Sequence, residues 1–257
     1  MKKCIFSWFG FVMPLQERLT LIKKNNFDAT CLWWEDEYYP ESIPVDDMPV
    51  MVRKAGLDLD NIHCPYSDVN YLWSIDKREL EKTMQTYLKY VDSCNYHRIP
   101  VMVMHATNKN FVNKNLTIGI SAFKELVKYA ENKNVKIAIE NTRDFEIIDT
   151  LLTNIESSHF GLCYDSSHDW IAEQSRGDLV KKWKHRLFAT HLSDNDMIDD
   201  KHWIPGDGMV IWENIIPSIL DSNLSCVTLE LMSSKEKISD PDLFLSLAYK
   251  RLVNYLK

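Results

Sequence analysis

The stretch VKIAIENTRDFEIIDTLLTNIESSHFGLCYDSSH, residues 135–168, decides the fold, because it contains a strand, a helix and the next strand in one run. VKIAIE (135–140) is a short apolar run that ends in Glu140, and DFEIIDTLLTNI carries apolar residues at helical spacing. FGLCYD (160–165) is again a short apolar run, and it ends in Asp165. Buried strands joined by helices predict a parallel sheet in an α/β protein.

The same alternation of a short apolar run and a helical segment extends over the whole chain. The ends of the eight predicted strands are Trp8, Trp34, His63, His105, Glu140, Asp165, His191 and Glu230. These ends are about 32 residues apart on average, which suits a βα unit. Eight such units predict a single (β/α)8 TIM barrel domain over residues 1–257. A doubly wound open sheet is the alternative, and the lack of a GxGxxG motif after an early strand argues against it.

Composition and charge restrict the partners. The 257 residues are 45% hydrophobic and 26% charged, as in a globular protein with a sizeable core. Thirty basic against 37 acidic residues give a net charge of −7, which argues against a nucleic-acid partner. The six cysteines are scattered without a CxxC pair, a pattern typical of reduced thiols in a cytoplasmic protein. No apolar run approaches the roughly 20 residues that span a bilayer, so no membrane partner is expected.

Six successive strands are predicted to end in an ionisable residue, and these residues are His63, His105, Glu140, Asp165, His191 and Glu230. In a barrel the C-terminal ends of the strands meet at one face, where catalytic groups gather. Buried charges that converge without compensation are costly. A divalent cation would satisfy several carboxylates and imidazoles together. The pattern therefore predicts a metal site at the C-terminal ends of the strands.

Further candidate ligands lie in DSSH and in ATHLSDNDMIDDKHWIPGDG (189–208). His168 follows Asp165 by about one helical turn. Asp200 and His202 form a DxH pair whose alternate side chains could turn inward together in an extended segment, and a solvated acidic loop is the alternative. Three other aspartates of this stretch are expected to be solvated, and they are Asp194, Asp196 and Asp199. For Asp194 the alternative is a hydrogen bond that orients His191.

Taken together, the motifs resemble the xylose-isomerase-like TIM barrels over nearly the whole chain; they are IHCPY, VMHAT, IAIEN, GLCYDSSH, THLSDND, HWIPGDG and LELM. That superfamily contains sugar isomerases and epimerases and also the endonuclease IV type of apurinic-site nuclease. For the sugar-acting branch the resemblance implies one divalent ion, zinc or manganese, held by Glu140, Asp165, His191 and Glu230. For the nuclease branch it implies three zinc ions, held by the same four residues together with His63, His105, His168, Asp200 and His202.

The favoured hypothesis is a metal-dependent isomerase or epimerase of a small sugar or sugar phosphate. Glu140 and Glu230 would act as acid and base and move a proton next to a carbonyl through an enediolate. His63 and His168 are predicted to bind substrate if they do not bind metal. Whether the substrate carries a phosphate stays open, although Ser233, Ser234 and Lys235 follow the eighth strand, where many barrels bind phosphate.

A zinc-dependent phosphodiester hydrolase is the alternative, since all nine ligand types of the nuclease branch are present. Two features weaken it. The sequence HLSDND…DDKHWIPGDG departs from the HLND…DRHxxIGxG pattern of that branch. The loops EDEYYPESIPVDD and CPYSDVNYLWSID are acidic and aromatic, which does not suit phosphates. A barrel that only binds a ligand is a third hypothesis, disfavoured because both glutamates are present.

Other side chains near the strand ends have two interpretations each. The aromatic residues Trp8, Trp33, Trp34, Tyr66 and Trp73 could wall a sugar pocket or pack in the core, and Trp8 and Trp34 are the two predicted to bind substrate. Cys64 and Cys163 are expected to face away from the site and to pack in the core. The exposed faces of the barrel helices could support a homodimer.

Overall fold

The computed structural model describes residues 1–108, 111, 114–142, 144–171, 175–233 and 238–257. Eight parallel strands form a nearly closed barrel, and they are β1 (Lys2–Phe6), β2 (Ala29–Trp33), β3 (Asp58–His63), β4 (Val101–His105), β5 (Lys136–Glu140), β6 (Phe160–Asp165), β7 (Leu187–His191) and β8 (Cys226–Leu229). They pair in the order β7-β6-β5-β4-β3-β2-β1-β8. A parallel bridge joins Leu192, just after β7, to Leu229, the last residue of β8. The predicted (β/α)8 barrel is confirmed.

Helices follow the strands and cover the outside of the barrel. They are α1 (Leu15–Lys24), α2 (Met48–Lys54), α3 (Lys77–His97), α4 (Leu116–Asn132), α5 (Phe145–Asn154), α6 (Ser166–Ile171), α7 (Asp178–Trp183), α8 (Ile216–Leu220) and α9 (Pro241–Tyr255). Asp240 caps α9, because its carboxylate accepts hydrogen bonds from the N–H groups of Asp242 and Leu243. The short helix α6 was not predicted, and it begins directly after β6. Among the described residues no helix is long and apolar enough to cross a membrane.

The strands divide the core into two layers, because successive side chains of a strand point to opposite faces. On β5, Ile137 and Ile139 pack outward against the helices, whereas Ala138 lies inside the barrel. The inner layer consists mostly of small residues, among them Cys4, Ala29, Cys31, Cys226, Val103, Ala138, Cys163 and Ala189. The inward positions at the C-terminal ends are different, since there the residues are charged or imidazole side chains. The barrel therefore directs these residues to one mouth.

Candidate functional site

Four ligand atoms from four consecutive strands meet at the C-terminal mouth of the barrel. Glu140, Asp165, His191 and Glu230 each place one such atom within 4.8 Å of the others. The first three end β5, β6 and β7, and Glu230 follows β8 directly. Glu140, Asp165 and His191 are at most 1% exposed, whereas the side chain of Glu230 is 22% exposed. This arrangement is the predicted four-residue set, with one member open to solvent.

The polar atoms of this set fit a bound divalent ion. Within the described part of the chain, neither ring nitrogen of His191 has a hydrogen-bond partner, and neither does Oδ2 of Asp165, although all three atoms are buried. His191 Nδ1 lies 3.2 Å from Oε2 of Glu140 and 3.0 Å from Oε2 of Glu230, but in directions that make no hydrogen bond. Buried polar atoms without partners require an explanation. Ligands that share an ion provide one, and carboxylates with imidazole suit zinc or manganese.

Three more histidines surround the carboxylate of Glu140. His63 Nε2 lies 3.0 Å and His105 Nε2 lies 3.6 Å from its Oε2, and His168 Nδ1 lies 3.4 Å from its Oε1. His63 and His191 also form, with Glu140, a second group of ligand atoms that lie within 4.8 Å of one another. The predicted candidates His63, His105 and His168 are therefore adjacent to the four-residue set.

The DxH pair of the loop after β7 turns inward, as predicted for a wall of the site. Oδ2 of Asp200 lies 3.2 Å from Nε2 of His168 and 3.1 Å from Nε2 of His202. Its Oδ1 accepts a hydrogen bond of 2.6 Å from the Ser167 hydroxyl. His202 reaches this place with its backbone in the left-handed region, at a φ of 49°. All nine candidate ligands thus lie at one mouth.

Histidine protons balance the carboxylates in the metal-free cluster. Burial raises the pKa of Asp165 to about 7, since its charged form is poorly solvated. Burial alone would lower the pKa of His168, but the carboxylates of Asp165, Asp200 and Glu140 raise it well above its usual value. For His202, burial is likewise outweighed, chiefly by Asp200, and the pKa is raised to about 10. A divalent ion would replace these protons as the compensating charge.

Asp194 organises the loop that follows β7, contrary to both predictions made for it. It is 0% exposed, so it is not a solvated aspartate. Its carboxylate accepts hydrogen bonds from the N–H groups of Gly206 and Val210 and from the indole of Trp212, at 2.7, 3.0 and 3.1 Å. It therefore does not orient His191. Asp196 is half-buried, and only Asp199 is exposed as expected of a solvated member of the loop.

The glycine of the PGDG turn makes room for that carboxylate. A Cβ atom at Gly208 would lie 2.4 Å from Oδ1 of Asp194 and 2.2 Å from the backbone oxygen of Asn195. Gly206 has a φ of 87°, a conformation that favours glycine. The glycine-bracketed turn thus folds the loop around Asp194 and carries Asp200 and His202 to the mouth.

We expect Asp194→Ala to lower the free energy of unfolding by about 3 kcal/mol, because four N–H donors, three of them buried, lose their acceptor. Urea unfolding monitored by circular dichroism measures the change. The exposed neighbour provides the control, and Asp199→Ala should change the stability by no more than about 0.5 kcal/mol. Equal stabilities of the two variants would contradict the anchoring role of Asp194.

An open pocket of about 370 Å³ lies beside the four-residue set, within the range of roughly 300–1,000 Å³ typical of ligand sites. Its lining includes Phe6, Ser7, Trp8, Trp33, Glu35, Asp36, Glu37, Tyr38, Tyr39 and Glu230. The Trp33 ring packs 5.0 Å from the ring of His63 and meets Tyr66 edge-on at 5.6 Å. Aromatic rings and acidic side chains therefore form the wall next to Glu230.

Trp8 lines this pocket as predicted, but Trp34 does not. Trp34 is 4% exposed and packs in the outer core against His97. β2 ends one residue earlier than predicted, so that Trp33 takes the inward position and Trp34 the outward one. Trp73 is also a core residue, and its indole donates to the backbone oxygen of Ala106. The position beside the pocket that was predicted for Trp34 is occupied by Trp33.

Cys163 corrects a second expectation. Cys64 packs in the outer core as predicted, whereas Cys163 lies inside the barrel. Residues two apart on a strand share a face, so Cys163 faces the same way as Asp165 and lies beneath the site. Its thiol lies near the ring of His191 without a hydrogen bond between them. Of the residues considered for phosphate binding, Ser234 and Lys235 lie outside the described residues.

Two residues that support the site were missed by the sequence analysis. Arg18 is fully buried, donates to the backbone oxygen of Ser7, pairs with Glu37 and lies 5.2 Å from the Trp8 ring, so that it fixes the pocket wall. A signal for it existed, since Arg18 falls on the apolar stripe of α1. Asn141 binds both backbone groups of Asp165, at 2.7 and 2.8 Å, and no sequence pattern indicated this.

Comparisons with known proteins agree with this geometry. The uncharacterized protein y4fM of Sinorhizobium fredii is 28% identical over 269 residues, which cover 87% of this chain and 84% of that protein. A crystal structure of D-psicose 3-epimerase from Clostridium cellulolyticum H10 with D-tagatose superposes with a TM-score of 0.80, at 14% identity over 99% of this chain and 98% of the other. The IOLI protein, with a binding zinc atom, gives a TM-score of 0.80 at 16% identity, over 100% and 98% of the two chains.

At these identities the two solved structures establish the likeness of the fold. The family comparison goes further, because the description of the xylose isomerase-like TIM barrel matches residues 19–245, most of the sequence. The chain therefore belongs to the xylose isomerase-like TIM barrel family.

Proposed function

We propose that this protein is a divalent-metal-dependent isomerase or epimerase of a free ketose. The observation that carries the proposal is the set of Glu140, Asp165, His191 and Glu230 beside an aromatic pocket. These four residues would hold the ion, zinc or manganese. When bound, it would anchor neighbouring substrate oxygens and stabilise the negative charge of an enediolate. The structural likeness to sugar epimerases and to a zinc-binding protein supports the proposal.

The chain's own residues provide the proton transfers. Glu230 faces the pocket and is the carboxylate that removes the proton from the carbon next to the substrate carbonyl. Glu140 ends β5, and two strands lie between β5 and β8. It delivers or accepts the proton on the face of the substrate opposite to Glu230. His168 can bind a substrate hydroxyl while Asp200 holds its ring, and the faces of Trp8 and Trp33 cover the carbon skeleton.

The pocket wall favours a substrate without a phosphate. Glu35, Asp36, Glu37 and Glu230 line it, and like charges disfavour a phosphate dianion. The Arg18 guanidinium beneath this wall is fully buried and already paired with Glu37. Hydroxyl groups, in contrast, can donate hydrogen bonds to these carboxylates. The substrate class is thus a neutral polyhydroxy ketone.

The proposal is tested by incubating the manganese-loaded protein in deuterium oxide with D-tagatose, D-psicose and D-fructose. We expect deuterium at a carbon next to the carbonyl, together with the epimer or isomer, measured by nuclear magnetic resonance and mass spectrometry. A phosphorylated ketose serves as the matched probe, and it should react more slowly because of the acidic wall. Exchange with none of these sugars, combined with cleavage of DNA at an abasic site, would overturn the proposal.

A zinc-dependent phosphodiester hydrolase is the second candidate function. One observation favours it, namely that His63, His105, Asp200 and His202 lie at the same mouth as the four-residue set. Clustered zinc ions could activate water and stabilise the attacking and leaving oxygens. The acidic pocket wall disfavours a nucleic-acid backbone, for which basic side chains supply affinity. We therefore rank this function below sugar isomerisation.

A further inference from the structure

A second cluster of side chains of the types that bind metals, cysteine and aspartate, lies at the opposite, N-terminal end of the barrel. One ligand atom each from Cys4, Cys226 and Asp60 lies within 4.8 Å of the others. The two thiols are buried, and the Asp60 side chain is half-buried. The thiol of Cys31, on β2, lies near that of Cys4. Two sulfur atoms and one carboxylate therefore meet inside the barrel, contributed by β8, β1 and β3.

The backbone of β3 brings Asp60 into this cluster. Leu59 and Ile62 point outward into the outer core, whereas His63 points to the axis. The pairing of β2 with β3 shifts register between Thr30 and Cys31, so that Thr30 pairs with Leu59 and Cys31 pairs with Asn61. Asp60 is the extra residue. Bulges of this kind re-aim a side chain, and this one turns a carboxylate toward the thiol of Cys226.

The Asp60 carboxylate accepts a hydrogen bond of 3.0 Å from the side-chain amide of Asn61, but among the described residues it has no ion-pair partner. Lys2 is close enough to attract it, but the Lys2 ammonium is bound to Asp58 at 2.6 Å. Burial raises the pKa of the Asp60 carboxyl and raises that of the Cys4 thiol well above its usual value. The cluster thus brings together two buried thiols and a carboxylate that has no ion-pair partner among the described residues. A divalent ion would compensate two thiolates and the carboxylate together.

Solvent reaches the cluster from the N-terminal face. Asp60 lines a cavity of about 240 Å³ at that end of the barrel, together with residues such as Lys136, His185 and Ser225. Cys226 and Glu230 are four residues apart on one strand, which places them about 13 Å apart at roughly 3.3 Å per residue. The cluster is therefore separate from the site at the C-terminal mouth and has its own route of entry.

We propose that Cys4, Cys226 and Asp60 form a metal site at the N-terminal end of the barrel. The site would bind a divalent ion that prefers thiolate ligands, such as zinc. Zinc is commonly bound by four ligands that include cysteine and carboxylate, and a water molecule or the nearby Cys31 would complete the set. On binding, each coordinating thiol releases its proton to solvent and forms a metal–sulfur bond. The ion would tie β8 to β1 and β3 beside the seam of the barrel. The proposal does not depend on the function proposed for the other end.

Cobalt is the probe for the test, because a thiolate bound to cobalt gives a charge-transfer absorption in the near ultraviolet. The full-length protein, freed of metal and kept reduced, is titrated with Co²⁺. We expect this absorption to appear and to saturate at one equivalent of the thiolate-bound ion. Cys226→Ser leaves only the Cys4 thiolate of the proposed pair and should markedly lower the absorption at saturation. Asp60→Asn should weaken cobalt binding at the thiolates by at least about 10-fold, as loss of an anionic ligand implies.

Two matched variants locate the absorption. Cys163→Ala removes the thiol beneath the C-terminal site, and Glu140→Gln removes a carboxylate of that site. Both should keep the thiolate absorption, even if Glu140→Gln loses all turnover. Absence of the absorption in the folded wild type would overturn the proposal, and this outcome needs no variant. An undiminished absorption in Cys226→Ser, or loss of the absorption in Cys163→Ala, would overturn it as well.

Discussion

Glu230→Gln should lower kcat for ketose interconversion by at least about 10³-fold, within the range that general acid–base catalysis contributes. Glu230 is the member of the four-residue set that lines the pocket, and its side chain is 22% exposed, against 1% for Glu140. A glutamine amide has nearly the same shape but cannot accept the substrate proton. The Glu230→Gln variant should keep the fold, because residue 230 is only partly buried. Deuterium exchange into the sugar and the rate of interconversion measure the effect.

Glu35→Gln is the matched control for this variant. Glu35 lines the same pocket, and its carboxylate accepts a hydrogen bond from the indole of Trp33 rather than contacting His191. We expect Glu35→Gln to change KM more than kcat, since its role is confined to the wall. A kcat for Glu230→Gln within 10-fold of the wild type would exclude Glu230 as the base.

Asp165→Asn should weaken manganese binding by at least about 100-fold, because it removes one of the anionic ligands of the ion. Loss of a residue that only hydrogen-bonds to a ligand typically weakens metal binding by about 10- to 100-fold, and loss of a ligand itself should cost more. Asp165 is fully buried, and its Oδ2 has no hydrogen-bond partner among the described residues. Calorimetric titration of the metal-free protein with Mn²⁺ measures the affinity. Asp199→Asn, at an exposed position of the loop after β7, should bind manganese as the wild type does.

The same substitution has a second consequence, of opposite sign, for the metal-free protein. Burial raises the folded-state pKa of Asp165 to about 7 from an ordinary value of 3.8, so the folded protein holds this proton more tightly than the unfolded chain. Its contribution to stability is therefore fully present below pH 3.8 and is lost as the pH rises toward 7. Metal-free Asp165→Asn should then be at least as stable as metal-free wild type at pH 8, measured by urea unfolding. A large loss of stability would indicate a structural role for the carboxylate.

Much of the barrel and of its mouth could be predicted because two simple rules position it. Short apolar runs mark the strands, and the C-terminal ends of parallel strands meet at one face. A charged residue at the end of such a run can only lie at that face or stay in solvent. Glu140, Asp165 and His191 end their strands as predicted, and their side chains converge. The roles of these residues remain predictions.

The errors came from features that a local pattern does not contain. Shifting the end of β2 by one residue exchanged Trp33 for Trp34, because neighbouring residues point to opposite faces. The burial of Asp194 depends on donors 12 to 18 residues later in the chain, at Gly206 and Trp212, which composition cannot indicate. The inward position of Asp60 results from a register shift between β2 and β3, and no pattern in the sequence indicates such a shift.

The most direct test of the central claim is the number and position of the metal ions at the C-terminal mouth. Crystals of protein purified without chelators would be measured at the manganese and zinc absorption edges, so that anomalous scattering locates each ion. The account predicts one ion at the mouth, bound by Glu140, Asp165, His191 and Glu230. A mouth without an ion, or one with two or three zinc ions that engage His63, His105, Asp200 and His202, would contradict it.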